Sequence, residues 1–300
     1  MMYKNDRIFN YIGHTLMIVV TIVTLLPFFL LVSSSLTDND AILRYGYSFI
    51  PSIFSTFAFE WLFITNGDII LRAYGISFIL TILGVTLSLV ITTPLAYGLA
   101  RQGLPLRKTI TMFVFLTMIF NAGLVPTYLN YTQVFGLKDT FLALLIPNLL
   151  TNGFFVLLMK SYFVSSIPHE ILEAASIDGA SEFRIMLQVA VPMAKPIIAT
   201  IAIFVAINYW NDWLNGFVYL ARRQDLASIQ VLLNRIMQNV QVLQQQAGVI
   251  GGEAAVGLAQ APLVAVRMAM AVMGVLPIVV VYPFVQKNLV KGITLGGVKG

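Results

Sequence analysis

Six long apolar runs constrain the fold of this chain more than any other feature of its sequence. A hydrocarbon core about 30 Å thick requires roughly 20 helical residues to cross it, and six runs reach that length with only minor polar interruptions. The alternation over about ten residues that is typical of membrane-barrel strands does not occur, so the backbone must be satisfied within helices. The sequence therefore predicts an all-α integral membrane protein with six transmembrane helices, at about 11–33, 72–100, 109–129, 139–163, 196–221 and 262–286.

The composition excludes a soluble protein and several kinds of site. Charged residues make up 10% of the chain and the mean hydropathy is +0.86, whereas soluble proteins carry about 25% charged residues. Cysteine is absent and there are two histidines, which excludes disulfides, cysteine-ligated metal and a histidine-rich metal site. The Gly-x-x-x-x-Gly-Lys-Ser/Thr phosphate-binding loop is also missing, so the chain is expected not to be an ATPase.

The basic residues indicate how the chain is oriented. They are scattered at the ends of apolar runs rather than gathered in a patch, which argues against nucleic-acid binding. Placing residues 1–10 in the cytoplasm leaves 11 of the 18 Lys and Arg residues inside with five acidic residues, and seven outside with eight. This bias predicts an N-in/C-in topology with a retained first helix rather than a signal peptide. The basic turn Arg101–Lys108 is interpreted as a topology signal alone.

A polar stretch between two apolar runs, Glu173–Ala180, is the most informative part of the chain. Pro168 can begin a short helix there, because its missing N–H lies in a turn that has no intrahelical partner, and Gly179 can end the helix in a left-handed cap. A second helix is expected to start at Ser181. Ala174 leaves one side of the first helix nearly bare, as close docking against another protein requires. The alternative is an ordinary interfacial helix-turn-helix.

This stretch resembles the EAA loop of ABC-importer permeases. The residues that carry the resemblance are Glu173, Ala174, Ala175, Asp178, Gly179, Ala180 and Pro192, the last preceded by Val191 where the family often has Leu. The resemblance implies a type I ABC importer permease fold, with a single transmembrane domain at 11–300 whose cytoplasmic coupling loop, 164–195, binds an ATPase subunit. The implied partners are a second permease subunit, two ATP-binding subunits that hold ATP and Mg, and an extracytoplasmic substrate-binding protein. This chain itself is expected to bind no cofactor or metal.

The end of the chain is similar to the carbohydrate-type members of that family, and in particular to the maltose-like second permease. Tyr282-Pro-Phe, Gln286-Lys287 and Lys291-Gly292 precede a glycine-rich cytoplasmic tail, residues 287–300. The resemblance implies that this tail reaches the ATPase subunits, through Gly296, Gly297, Lys299 and Gly300. The alternative is a frayed basic C-terminus. The group that the chain resembles most is that of the complex-oligosaccharide permeases.

A cluster of polar and aromatic residues near the end of the fifth apolar run is a candidate substrate path. Rings can stack on the apolar faces of pyranoses, and Asn and Asp can bond hydroxyl groups; the residues concerned are Asn208, Trp210, Asn211, Asp212 and Trp213. The alternative is hydrogen bonding between helices together with interfacial aromatics. The external segment 222–261 follows, and its apolar spacing predicts an amphipathic helix that meets either a binding protein or the membrane surface.

These features predict a permease subunit that forms half of the path for a carbohydrate, an oligosaccharide or complex glycan, in a prokaryotic inner or plasma membrane. Within the ABC class, a peptide, polyamine or phosphorylated sugar remains an alternative substrate. An ion-coupled secondary transporter is a rival from another class, but no apolar run has a central Asp or Glu. An intramembrane enzyme is disfavoured because His-Glu-x-x-His is absent.

Overall fold

The computed structural model describes residues 4–147, 149–247 and 263–294, and helices dominate these residues. Two π-helical turns, Asn130–Val134 and Met186–Ala190, and a 3-10 turn, Gln224–Leu226, interrupt or join them. The α-helices in chain order are α1 (Lys4–Ser35), α2 (Asn39–Tyr45), α3 (Phe57–Ala100), α4 (Arg107–Ile119), α5 (Leu124–Leu129), α6 (Leu142–Leu145), α7 (Gly153–Ser166), α8 (His169–Ile177), α9 (Glu182–Ile185), α10 (Val191–Met193), α11 (Lys195–Asn211), α12 (Leu214–Tyr219), α13 (Ile229–Ala247) and α14 (Leu263–Thr294).

The chain divides into two compact units, one formed by residues 1–70 and 233–277 and the other by residues 71–232 and 278–300. In the first unit, the Asp38 carboxylate caps α2 by accepting the N–H of Asp40 at 3.0 Å. The Asn39 side chain accepts the N–H of Val264 at 3.1 Å, which ties the start of α14 to α2. Side-chain to backbone bonds of this kind satisfy the donors that every helix start leaves unpaired.

The second unit holds an apolar core built from α3, α6, α7, α9 and α11. Tyr209 of α11 is fully buried there, and its hydroxyl donates to the carbonyl of Leu145 at 2.8 Å. The Tyr209 ring lies directly on Gly84 of α3, because a Cβ at that position would overlap the ring. A glycine is therefore required where these two helices cross because there is no room for a side chain, and not because of its backbone conformation.

Three helical segments of the described residues are long and apolar enough to cross a membrane, namely Phe9–Ser35, Gly67–Ala100 and Val264–Pro283. Two further apolar segments are bent pairs: Arg107–Ile119 meets Leu124–Val134 at 116°, and Glu182–Met193 meets Lys195–Asn211 at 81°. The all-α membrane fold is confirmed. The count of six transmembrane helices and their orientation stay predictions.

Three of the predicted runs are not continuous helices, for local chemical reasons. The run 109–129 breaks after Ile119, because the Asn121 side chain accepts the N–H of Gly123 at 2.9 Å and Gly123 has a φ of +80°. Side-chain bonds of this kind compete with the helix for backbone groups. The run 196–221 ends its helix at Asn211, and the Asp212 carboxylate accepts the N–H of Asn215 at 3.3 Å to start α12.

Among the described residues of the run 139–163, α7 is the one helix of appreciable length, and it begins at Gly153. Asn152 caps it by accepting the N–H of Phe154 at 2.9 Å. Asp139 lies outside any helix and has a φ of +58°. Its carboxylate accepts the N–H groups of three successive residues, including Arg222 at 2.7 Å, so it joins this region to the end of α12.

Candidate functional site

The helix that the Glu173–Ala180 stretch predicts is confirmed as α8, which spans His169–Ile177 with Pro168 as its N-cap. Gly179 has a φ of +82°. Its N–H donates to the carbonyl of Ser176 at 3.0 Å, and the N–H of Ala180 donates to the carbonyl of Ala175 at 3.1 Å. This pair of bonds is the Schellman arrangement that ends helices at a left-handed glycine.

The second helix of the coupling loop is also confirmed, because Ser181 caps α9 by accepting the N–H of Arg184 at 3.4 Å. The first helix presents most of its surface to the outside. Glu173, Ala174, Asp178 and Gly179 are exposed, and Ala175 and Ala180 are half-buried. Of the residues that the EAA resemblance selects, those from Glu173 to Ala180 therefore lie together on an accessible helix-turn-helix, whereas Pro192 lies in α10.

Large apolar side chains extend this exposed surface. Ile177 is 86% exposed and Phe183 is 68% exposed, whereas Leu172 on the opposite side of α8 is 7% exposed. Exposed apolar groups of this size mark interaction surfaces when they lie together. A cleft of about 460 Å³ lies beside α8 and is lined by Ile177, Glu173 and Arg101, among others.

Glu182 at the start of α9 is bound to the end of α3, a contact that no sequence motif indicated. Its Oε1 accepts from the Arg101 guanidinium at 2.6 Å, and its Oε2 accepts from the Tyr97 hydroxyl at 2.9 Å. The hydrogen bond from Arg101 holds the pKa of the Glu182 carboxyl below its ordinary value, and the hydrogen bond from Tyr97 acts in the same direction. Arg101, assigned from sequence to topology alone, therefore contacts the coupling loop.

A larger groove of about 1190 Å³ lies where α4 and α7 meet. Gly153, the first residue of α7, packs so closely on α4 that a Cβ would lie 2.9 Å from the Val114 carbonyl oxygen. None of the described residues that line the groove carries a charge. Its polar lining residues include Asn121, Thr127, Asn130, Tyr131, Thr151 and Asn152.

The cluster predicted as a substrate path is divided by the fold. Trp210 is buried at 5% exposure, with its ring 5.2 Å from that of Phe78. Asn208, Asn211 and Trp213 are exposed. Asp212 is half-buried, and its carboxylate accepts the N–H of Asn215 in the first turn of α12. The structure thus gives Trp210 a packing contact and Asp212 a backbone hydrogen bond, and the role of the cluster in substrate contact stays a prediction.

The tail residues that were predicted to reach the ATPase, Gly296, Gly297, Lys299 and Gly300, lie outside the described residues. Two other features were missed by sequence reasoning. The bond between Glu182 and Arg101 joins residues 81 positions apart, and the groove depends on how α4 and α7 pack. The one available signal for the groove was the Asn121-Ala-Gly123 turn inside an apolar run.

Comparison with known proteins places these features in context. Residues 72–295 match the family of binding-protein-dependent transport system inner membrane components. The polygalacturonan/rhamnogalacturonan transport system permease protein YtcP of Bacillus subtilis is 32% identical, with 98% of this chain and 99% of that protein covered. Protein LplC of the same organism is 31% identical, with 99% and 97% covered. The arabinooligosaccharides transport system permease protein AraQ, also of Bacillus subtilis, is 25% identical, with 92% and 91% covered.

One solved structure is similar over nearly the whole chain. It is a chain of a bacterial ABC transporter involved in the import of the acidic polysaccharide alginate. The TM-score is 0.78 and the identity 29%, with 96% of this chain and 98% of that chain covered.

Proposed function

This chain belongs to the family of binding-protein-dependent transport system inner membrane components, and from that premise we propose that it forms half of the translocation path of an ABC importer for oligosaccharides. As the membrane-spanning subunit of such an importer it has no ATPase site of its own. It is an inner-membrane protein. Family membership also removes the ion-coupled secondary transporter as an explanation.

The observation that carries the proposal is the exposed coupling loop. α8 offers small side chains beside exposed Ile177, and the Schellman arrangement at Gly179 holds it at a defined angle to α9. A rigid, accessible helix of this kind suits a groove on an ATPase subunit. In the proposed complex, two ATPase subunits bind ATP and Mg, a second permease completes the path, and an extracytoplasmic protein delivers the solute. Closure of the ATPase pair moves α8, and this chain binds no cofactor.

The groove between α4 and α7 is the proposed substrate contact of this chain. α4 and α7 have 13 and 14 residues, so each is about 20 Å long and too short to cross the hydrocarbon core. Their facing ends leave backbone groups that lipid cannot satisfy, so the ends must meet protein or water. Broken helices of this kind line the solute sites of other membrane transporters.

The lining of the groove favours a hydroxyl-rich solute. Amide and hydroxyl side chains such as Asn130 and Tyr131 can both donate and accept hydrogen bonds. A polyamine would require carboxylates, and the described lining contains none. The compared proteins whose names state a substrate belong to systems for the transport of polygalacturonan/rhamnogalacturonan or arabinooligosaccharides, or for the import of the acidic polysaccharide alginate. A carbohydrate is therefore the proposed substrate class.

The proposal is tested by isolating the complex through a tag on this chain. The co-purifying binding protein is then screened by thermal shift against oligosaccharides, monosaccharides and peptides. Stabilisation by oligosaccharides is expected. A response to peptides alone would overturn the carbohydrate assignment, and recovery of the chain without any ATPase would overturn the importer assignment.

Two substitutions test the assigned surfaces once the substrate is known. Glu173→Arg on the exposed face of α8 is expected to leave the protein inserted but to abolish uptake driven by ATP hydrolysis, whereas Asp68→Arg, at an exposed position of α3, serves as the control. Asn130→Leu in the groove is expected to raise the KM of uptake. Asn211→Leu tests the polar and aromatic cluster at the end of α11 as the alternative substrate contact. Normal uptake by the Glu173→Arg protein would contradict the docking assignment.

A further inference from the structure

The bond between Glu182 and the end of α3 has two features that suit it to transmit movement: a fixed orientation of the carboxylate, and partners on a separate element. Both carboxylate oxygens are used, one by Arg101 at 2.6 Å and the other by Tyr97 at 2.9 Å. Charge-assisted hydrogen bonds are short and directional, so the carboxylate is held in one orientation. Its partners lie 81 and 85 positions earlier in the chain, so the bond joins two separate elements.

The remaining contacts of the coupling loop are of a different kind. Ile167, Leu172 and Ile185 are buried at 6%, 7% and 1% exposure and pack into the core of the second unit. Apolar contacts are non-directional, so they resist separation of the loop from the core more than they resist sliding. Glu182, in contrast, fixes the start of α9 to a point on α3.

Arg101 occupies a position suited to such a connection. It directly follows α3, and its N–H donates to the carbonyl of Tyr97 at 3.2 Å, so the side chain projects from the last turn of that long helix. A cation is favoured there by the helix dipole. Arg101 lines the 460 Å³ cleft beside α8 and also a second cleft of about 440 Å³ that contains Glu182 and Phe183. A cleft therefore lies on each side of Arg101, and the bond between Arg101 and Glu182 connects the coupling loop to α3 between the two clefts.

We propose that Arg101 and Glu182, with Tyr97, form a positioning clamp that transmits movement of the coupling loop on its ATPase subunit to α3. The inference rests on the proposed function, since it requires an ATPase subunit bound at α8. The role of the three residues is to move α3 together with α8 when the ATPase pair closes, so that the translocation path opens when ATP binds.

The experiment uses the full complex, purified with its ATPase subunits and reconstituted in nanodiscs, and requires no identified solute. Hydrogen exchange is measured with and without ATP and vanadate, which traps the closed ATPase pair, at two places: α8 and the last turns of α3. The variants are Glu182→Ala, Glu182→Gln and Arg101→Met, with Arg101→Lys as the conservative variant. Arg223→Met is the matched control, because Arg223 forms an exposed ion pair with Asp225 at 2.8 Å.

In the wild-type complex and in Arg223→Met, trapping is expected to change exchange at both places. In Glu182→Ala and Arg101→Met, α8 should respond as before, while the response of α3 falls by at least about fivefold, the lower range of energetic coupling between sites. Glu182→Gln should retain part of the response through hydrogen bonding, and Arg101→Lys should restore part of it through charge.

Three results would overturn the clamp. One is an α3 response that is unchanged in Glu182→Ala. Another is loss of the ATPase subunits from both Glu182 variants, which would show that the bond merely builds the docking surface. The third is an equal loss of response in Arg101→Lys and Arg101→Met, because a positioning role predicts partial rescue. Failure of the proposed function is distinguishable, since in that case the wild-type chain itself recovers no ATPase subunit.

Discussion

Replacing Gly179 by alanine isolates the contribution of one backbone conformation to docking. Gly179 has a φ of +82°, and a Cβ added there would meet nothing within 4 Å. The substitution therefore causes no steric overlap, and its cost is the left-handed conformation alone, about 1–2 kcal/mol for a residue with a Cβ. Because 1.4 kcal/mol corresponds to a tenfold change in an equilibrium constant, the equilibrium constant for adopting the docking geometry should fall about five- to thirtyfold.

The same reasoning supplies two comparison variants. Gly103→Ala is the control, because Gly103 lines the cleft beside α8, also has open space around its Cβ position, and does not have a positive φ. Gly179→Asn should fall between wild type and Gly179→Ala, since asparagine adopts the left-handed region more readily than alanine.

The assay is titration of nanodisc-bound permease pairs with the purified ATPase subunit, read as the dissociation constant. Thermal unfolding of the variants should match wild type, because the change is confined to an exposed turn. The reasoning is refuted if Gly179→Ala and Gly103→Ala bind the ATPase subunit equally well, or if the loss is accompanied by a general fall in thermal stability.

Two further predictions concern stability and pH. Gly84→Ala should lower the stability of the detergent-solubilised protein by about 1–3 kcal/mol through overpacking, because its Cβ would overlap the Tyr209 ring; Gly75→Ala, with open space on the same helix, should leave the thermal midpoint unchanged. The lowered pKa of Glu182 means that its bond to Arg101 is fully formed above the ordinary glutamate value of 4.5 and is lost as pH falls through the lower, folded-state value. After correction for the intrinsic pH dependence of amide exchange, the protection of the α9 amides should therefore be insensitive to this group near neutral pH and should fall only below pH 4.5; a loss of protection that begins at higher pH would contradict the prediction.

Much of the coupling loop could be predicted from sequence because its determinants are local. Pro168, Gly179 and Ser181 act on backbone groups within a few residues of themselves, so the bounds of α8 and the start of α9 follow from residue type and spacing. The membrane class likewise follows from the length of the apolar runs, since bilayer thickness sets a fixed requirement. The tail at Gly296 and beyond stays a prediction.

Where an apolar run stops being helical was harder to predict. In the run 109–129 the break lies at Phe120–Gly123 and not at Pro126, which sits in the first turn of α5, where a missing N–H costs little. The Asn121 side chain decides this outcome through its bond to Gly123. A hydropathy profile cannot predict such a bond, because it measures the apolar character of the residues and not the hydrogen-bond partners of the backbone.

The sequence by itself determined that this chain is a helical membrane protein with a helix-turn-helix at residues 168–185, because hydrophobic length and helix caps act over short distances. Only the tertiary structure decided which groups meet across the chain. Trp210 is buried against Phe78, α7 starts against α4 to form the groove, and Glu182 reaches Arg101. These contacts depend on the packing of elements that are far apart in sequence, and no local pattern records which side chains such packing brings together.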